Sequence, residues 1–359
     1  MQKDIRIKEV FVLQNTSKTP QYWAMNKKFS LKEIALQSGL SLSSIDRVLH
    51  DRPNVSASAK RRVELAIGEL ERQHEAALIT GRRFVIDVIM QAPKRFTTEV
   101  KNAFEVELPA MRPASFGARF HIAEHLSEED VTSLTKAIKR RGSLGVVIKL
   151  PNSELTNKLA SELLRERIPV VTYVTDIQHH NRTDYIGMDN NQAGAVAAYL
   201  VGKMLPINGS KILLTLSSNL FDGEEQRAAG FKRVIKERFP HIGIVTVSEG
   251  QGLERSTYQL VERALTDHAD IEAVYSIGGA NRSILSAFRD NARECKVYAA
   301  HDLDKENQKL LSQGEIDFVI YHDFRNDARD LCHSLLHYHG MAPRHTATPS
   351  QIQIATPMS

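Results

Sequence analysis

Residues 31–50 read LKEIALQSGLSLSSIDRVLH, and the fold of the amino-terminal part follows from their spacing. Leu31, Ile34 and Ala35 repeat at helical intervals, and Gly39 follows where a helix ends and positive φ is easily reached. A second amphipathic stretch has Ile45, Val48 and Leu49 as its apolar positions and Ser41 as its N-cap. Counted from Leu31, a small residue stands at position 5 (Ala35), glycine at 9, and β-branched residues at 15 and 18 (Ile45, Val48). This is helix-turn-helix spacing: the small residue lets two helices approach, the glycine turns the chain, and the branched residues anchor the second helix. Further on, Val63, Ala66, Ile67 and Leu70 form the stripe of a third helix that closes a three-helix core.

Charge sets this segment apart from the rest. Residues 27–83 hold eleven Lys or Arg against seven Asp or Glu, a net +4; residues 1–26 carry +2, and the remaining 276 residues carry −2. A basic front end on a slightly acidic body suggests nucleic-acid contact by the front end alone. Lys60, Arg61 and Arg62, with Arg52 in the preceding loop, are candidate phosphate contacts.

The whole chain, 359 residues with 42 % hydrophobic and 25 % charged, has the length of two or three domains and ordinary globular composition. No apolar run is long enough for a membrane helix, and the polar first 26 residues carry no secretory signal, so a cytoplasmic location is expected. Cys295 and Cys332 make neither a disulfide framework nor a zinc spacing and read as small apolar side chains. His333 and His337 lack a third ligand, so neither a metal nor any other cofactor is expected.

The segments Ser30-Leu31-Lys32-Glu33-Ile34-Ala35, Gly39-Leu40-Ser41, Asp46-Arg47-Val48-Leu49-His50 and Val55-Ser56 together resemble the DNA-binding headpiece of the lactose-repressor (LacI/GalR) family. The resemblance covers residues 29–72. It implies that Leu42, Ser43 and Arg47 read bases in the major groove, that Ser41 and Ser44 face the phosphates, and that His50 and Arg52 complete the DNA-binding set. Two departures stand out. Asp46 replaces the family's usual serine and leaves two roles open: accepting from a cytosine amino group, or orienting Arg47 or another nearby basic side chain. The hinge, Arg72–Gly81, lacks the family's Pro-Asn and its Arg, although Ala76–Ile79 can form a helical turn with Leu78 or Ile79 as a minor-groove wedge.

From residue 84 onward, short apolar strands alternate with amphipathic helices. The strand candidates are 84–90, 119–123, 144–149, 168–174 and 184–188, followed by 211–217, 242–248, 271–277, 296–300, 316–321 and 351–355. Near-continuous apolar strands such as KILLTL mean parallel sheets covered on both faces, and eleven strands divide best into two lobes. The expected fold is therefore an all-α helix-turn-helix headpiece followed by an α/β body of two doubly wound parallel-sheet lobes. By the resemblance, this body is similar to periplasmic sugar-binding proteins of type I, with three crossings between lobes, near 186–190, 301–303 and 321–325. The expected domains are a disordered extension 1–26, the headpiece 27–72, a hinge linker 73–83 and the body 84–359. Within the body, one lobe takes 84–187 and 324–345, and the other takes 188–322 and 346–359.

Ligands in such folds bind at the carboxyl ends of strands, between lobes. By motif position, Asp189, Arg227, Asn281 and Asp302 match the sugar-contacting residues of the related binding proteins. His322 stands where a Gln is frequent, and Gln91 and Phe96 match a loop lining the same cleft. Carboxylates accept, guanidinium donates and carboxamides do both, which suits vicinal hydroxyls. The expected function is a non-enzymatic, allosteric transcriptional repressor. It would bind a palindromic operator as a homodimer or tetramer, with its DNA affinity set by a sugar or sugar derivative and with no membrane partner. The alternative is a non-regulatory sugar-binding or transport receptor. An enzyme is disfavoured because no phosphate loop, nucleophile elbow or catalytic carboxylate pair is found.

Overall fold

The computed structural model of the chain describes residues 29–53, 55–80, 83–112, 114–177, 181–206, 210–343 and 348–359. The expected extension, 1–26, lies outside them. Contacts divide the chain after Leu70 into two compact units.

The first unit holds three helices: α1 (Leu31–Ser38), α2 (Leu42–Leu49) and the start of α3 (Ala57–Thr80). Ser30 and Glu33 close a capping box on α1, the Ser30 hydroxyl accepting from the Glu33 N–H at 3.2 Å and the Glu33 carboxylate accepting from the Ser30 N–H at 2.8 Å. Gly39 ends α1 at φ 65°, a left-handed conformation that favours glycine. Ser41 caps α2 by accepting from Ser44 N–H. Phe29, Ile34, Ile45, Val48, Leu49, Val63, Ile67 and Leu70 form the buried core, with Leu31 and Ala35 partly buried against it; all but Phe29 are positions the helical periodicities select. Arg62 donates to the Ser38 carbonyl at 2.6 Å, supplying a partner to an α1 carbonyl left over at the helix end. Helix α3 continues without a break to Thr80, through most of the segment expected as a hinge linker. The side chains of the candidate wedge, Leu78 or Ile79, lie outside the described residues.

The second unit contains two sheets. The first comprises β1 (Arg83–Gln91), β2 (Ser115–Ala123), β3 (Val146–Lys149), β4 (Val170–Tyr173) and β5 (Asp184–Ile186), all parallel, in the order β2-β1-β3-β4-β5. Its helices are α4 (Lys94–Glu107), α5 (Glu128–Arg141), α6 (Glu154–Arg165) and the late α12 (Phe324–Tyr338). Ile86, Val88 and Met90 pack on one face with Leu331, Cys332 and Leu335 of α12, whereas Ile89 packs on the other with Val131 and Leu159. This period of two, apolar on both faces, is what covered parallel strands require.

The second sheet has β6 (Lys211–Thr215), β7 (Gly243–Val247), β8 (Ile271–Ser276), β9 (Val297–His301), β10 (Phe318–Tyr321) and β11 (Gln353–Ala355), in the order β11-β10-β9-β8-β6-β7. All pairings are parallel except β10–β11, an antiparallel edge. Helices α7 (Asn190–Met204), α8 (Asp222–Arg238), α9 (Glu254–Asp267), α10 (Asn281–Asp290) and α11 (Lys305–Ser312) cover it. Two of the expected crossings, near 186–190 and 321–325, link the sheets. The one placed at 301–303 does not: β9 ends at His301, and the returning strand β10 pairs beside it in the same sheet. The third crossing instead follows α12, where the chain returns to β11.

Helices α7 and α8 approach too closely for side chains at two points. A Cβ on Gly194 would lie 1.9 Å from the Arg227 carbonyl oxygen, and one on Gly230 would lie 2.0 Å from that of Asn191. The contact is reciprocal, each helix presenting a glycine to the other's backbone. Gly194→Ala is expected to force the helices apart and destabilise the body by about 1–3 kcal/mol in thermal or urea unfolding. An unchanged midpoint would show that the pair can separate freely.

Candidate ligand cleft and nucleic-acid interface

Both sheets reverse their strand order at one point, between β1 and β3 and between β6 and β8, and a cleft opens at the carboxyl ends of these strands. From the first lobe come Gln91, Arg95, Phe96, Lys149 and Thr175; from the second come Ser217, Phe221, Glu224, Arg227, Gln251 and Asp302. The lobes are drawn together across it. Arg95 Nη1 meets Asp304 at 3.0 Å and its Nη2 donates to the Gly278 carbonyl at 3.1 Å. Gly223 N–H donates to Thr175 Oγ1 at 3.0 Å.

Arg227 lies one turn into α8 and is 3 % exposed. Its Nε donates to Asn190 Oδ1 at 2.8 Å, and Asn190 Nδ2 in turn donates to Tyr185 OH and the Val174 carbonyl. The buried Nη2 of Arg227 has no partner, nor does Oδ1 of Asp302. One is a donor and the other an acceptor, and both residues line the cleft. Asp302 sits at φ 67°, held there by Asn307, whose Nδ2 donates to the Asp302 and His301 carbonyls.

Lys149 ends β3 inside the cleft, with Nζ 4.4 Å from the centre of the Phe221 ring and 5.2 Å from that of Phe96. Burial pulls its ammonium down to about 8; Glu224 and Asp302 oppose the fall, and the Arg227 and Arg95 charges add to it. Glu224 accepts from Ser217 N–H and Oγ at 2.7 and 2.6 Å.

Of the seven residues expected at the effector site, Gln91, Phe96, Arg227 and Asp302 line this cleft, while Asp189, Asn281 and His322 do not. Asp189 is exposed and caps α7, accepting from Gln192 N–H at 2.9 Å; the next residue, Asn190, is the one that reaches Arg227. Asn281 is buried between Tyr298 OH and Asn307, so it acts on Asp302 through Asn307. His322 is buried with Nδ1 2.7 Å from Asp327 at a crossing between lobes. Phe96 gives one face to Lys149 and meets Phe324 edge-on. Gln91 accepts from Leu126 N–H at 3.1 Å. Lys149, Arg95 and Glu224 were not among the expected residues. A lysine terminating the apolar run VVIK was the available signal.

In the first unit, Ser41, Leu42, Ser43, Arg47, His50 and Arg52 are exposed and Ser44 half-exposed around the start and one face of α2. Leu42 is an apolar side chain 47 % exposed at the helix start. Of the two roles open to Asp46, the geometry favours orientation of basic groups: its carboxylate lies 3.0 Å from His50 and 3.2 Å from Arg52. Arg47 donates to the Pro53 carbonyl at 3.1 Å.

The periplasmic binding protein domain pattern matches residues 120–339. Catabolite control protein A of Streptococcus mutans is 23 % identical over 248 residues, which is 67 % of this chain and 70 % of that protein. Two solved structures share the fold, each aligned over 77 % of this chain and 98 % of its own with a TM-score of 0.68. They are a glucose-galactose binding protein from Geobacillus stearothermophilus, 16 % identical, and a protein described as a LacI transcriptional regulator from Bacteroides fragilis, 14 % identical.

The burial of Lys149 carries a pH signature. The folded chain holds this proton less tightly than the unfolded chain, whose lysine titrates near 10.5. Stability therefore rises with pH between about 8 and 10.5, and below pH 8 the full penalty is present. Lys149→Met is expected to stabilise the ligand-free protein by about 1–3 kcal/mol at pH 7, a gain that fades towards pH 10.5. Equal or lower melting temperature of the variant at pH 7 would show that the buried ammonium carries no such penalty.

Proposed function

The chain belongs to the periplasmic binding protein domain family, and from that premise we propose that it is a transcriptional repressor whose operator affinity is set by a sugar or sugar derivative bound between its two lobes. The observation that carries this reading is the joining, in one chain, of a capped helix-turn-helix unit with an exposed Leu42 and a cleft holding unpartnered polar atoms. A transport receptor has no use for the first unit. The likeness to a named catabolite control protein and to a LacI regulator supports the same reading.

In this mechanism two copies place their α2 helices in successive major grooves of a near-palindromic site. Leu42, Ser43 and Arg47 read base edges, Ser41 and Ser44 contact phosphates, and His50 and Arg52, steadied by Asp46, add basic contacts. A ligand that engages Arg227 and Asp302 in one lobe and Lys149 in the other favours one lobe orientation. Its effect on DNA affinity is limited to its differential affinity for the two orientations, about 1–3 kcal/mol.

Fluorescence anisotropy with DNA from the promoter regions adjoining the gene, titrated with salt, tests the DNA half. Arg47→Ala is expected to cost about 1–3 kcal/mol and to relax base preference at one position per half-site. Equal loss on specific and random DNA would make Arg47 a phosphate contact only. Arg227→Ala tests the coupling. It is expected to abolish the response to effector while effector-free DNA affinity stays within about threefold. A folded variant responding at wild-type effector concentrations would remove Arg227 from the site.

A further inference from the structure

The cleft holds two buried cationic side chains, Lys149 and Arg227, that make no salt bridge among the described residues. Lys149 is 9 % exposed, and among the described residues no carboxylate lies within salt-bridge distance of its ammonium. What surrounds it is aromatic: the faces of Phe221 and Phe96, which hold a cation in place without neutralising it. Arg227 is fixed through Nε by Asn190, which leaves its buried Nη2 directed elsewhere and unpartnered.

The acidic side chains of the cleft are engaged elsewhere or lie apart from this pair. Asp304 takes Arg95, Glu224 accepts twice from Ser217, and Glu124 stands exposed at the rim. Asp302 Oδ1 is the buried carboxylate acceptor without a partner, suited to a ligand hydroxyl.

We propose that the ligand is a sugar acid, a polyhydroxylated molecule bearing one carboxylate that is held between the Lys149 ammonium and Arg227 Nη2, with a hydroxyl donated to Asp302. This deepens the proposed function and rests on its ligand cleft, though not on DNA binding. Two buried cationic donors that touch no carboxylate among the described residues make an anion the better occupant, because a neutral sugar would leave them without a charged partner in contact. A carboxylate matches a guanidinium edge and an ammonium with charge-assisted hydrogen bonds. A phosphate ester fits less well. Its second negative charge would face Glu224 and Asp302, whose fields already reach Lys149.

The test is equilibrium binding by calorimetry and thermal shift on the intact chain with matched sets. These are glucose, glucuronate, gluconate and glucose 6-phosphate, and the corresponding galactose series. The expected result is that at least one acid binds about 10- to 100-fold more tightly than its parent sugar, the worth of a hydrogen bond to a charged group. Lys149→Met, and Lys149→Gln as a second variant in case the first misfolds, are expected to remove most of that preference. Binding of no acid, a neutral parent binding as well as its acid, or a phosphate ester binding more tightly than the acid would each overturn the proposal. The outcomes separate from those of the regulator reading. A neutral sugar that alters operator binding leaves the repressor standing and removes the acid. A chain that binds an acid but no DNA does the reverse.

Discussion

The carboxamide of Asn190 joins what the two lobes would otherwise keep separate. Its oxygen takes Arg227 Nε from α8, while its nitrogen donates to Tyr185 OH and the Val174 carbonyl of the first lobe. The orientation of the cleft's guanidinium is thereby tied to the relative position of the lobes. The bond can exist only because Gly194 and Gly230 let α7 and α8 meet backbone to backbone, which brings the start of α7 alongside the first turns of α8. Packing fixes the helices, the helices fix the amide, and the amide fixes the donor.

Two buried charges in the body show opposite designs. Asp87, with no exposed surface, is surrounded by Arg119, Arg141 and His121 at 2.6–3.0 Å. Burial works to raise its carboxyl, but these partners outweigh it and hold the group below the usual carboxylate range. That cluster is complete in itself and gives the first sheet a satisfied polar patch. Lys149, 9 % exposed, has aromatic faces where Asp87 has counter-ions. A charge kept incomplete in this way weakens the fold, a pattern typical of sites where binding supplies the missing partner.

The headpiece was legible almost residue by residue because its determinants are local: a cap, a turn glycine and apolar positions within one short window. The two-lobed α/β class was legible from strand alternation for the same reason. What sequence spacing did not resolve was which polar residue at a strand end turns inward. Asp189 and Asn190 are adjacent, and both suit a helix start; one became the exposed cap and the other the buried bridge. Asn281 and His322 have the right residue types but face buried neighbours: Asn281 is hydrogen-bonded to Tyr298 and Asn307, and His322 has its Nδ1 2.7 Å from Asp327. The crossing expected at 301–303 misplaced a boundary because strand β10 gives no sequence sign of which neighbour it pairs with. Lys149 was overlooked because one lysine after an apolar run is also how many exposed strands end.

The route of the chain between lobes has a mechanical consequence. A single covalent link would leave two rigid bodies free to twist, slide and splay. Here the backbone passes between the sheets three times, after β5, after β10 and before β11. The links lie close together, Ser350 N–H donating to the Gly187 carbonyl and its hydroxyl to Asp327, and neighbouring tethers restrain translation and torsion more than rotation about the line through them. Two lobes linked in this way open and close chiefly by one angle, as the jaws of a clothes-peg do.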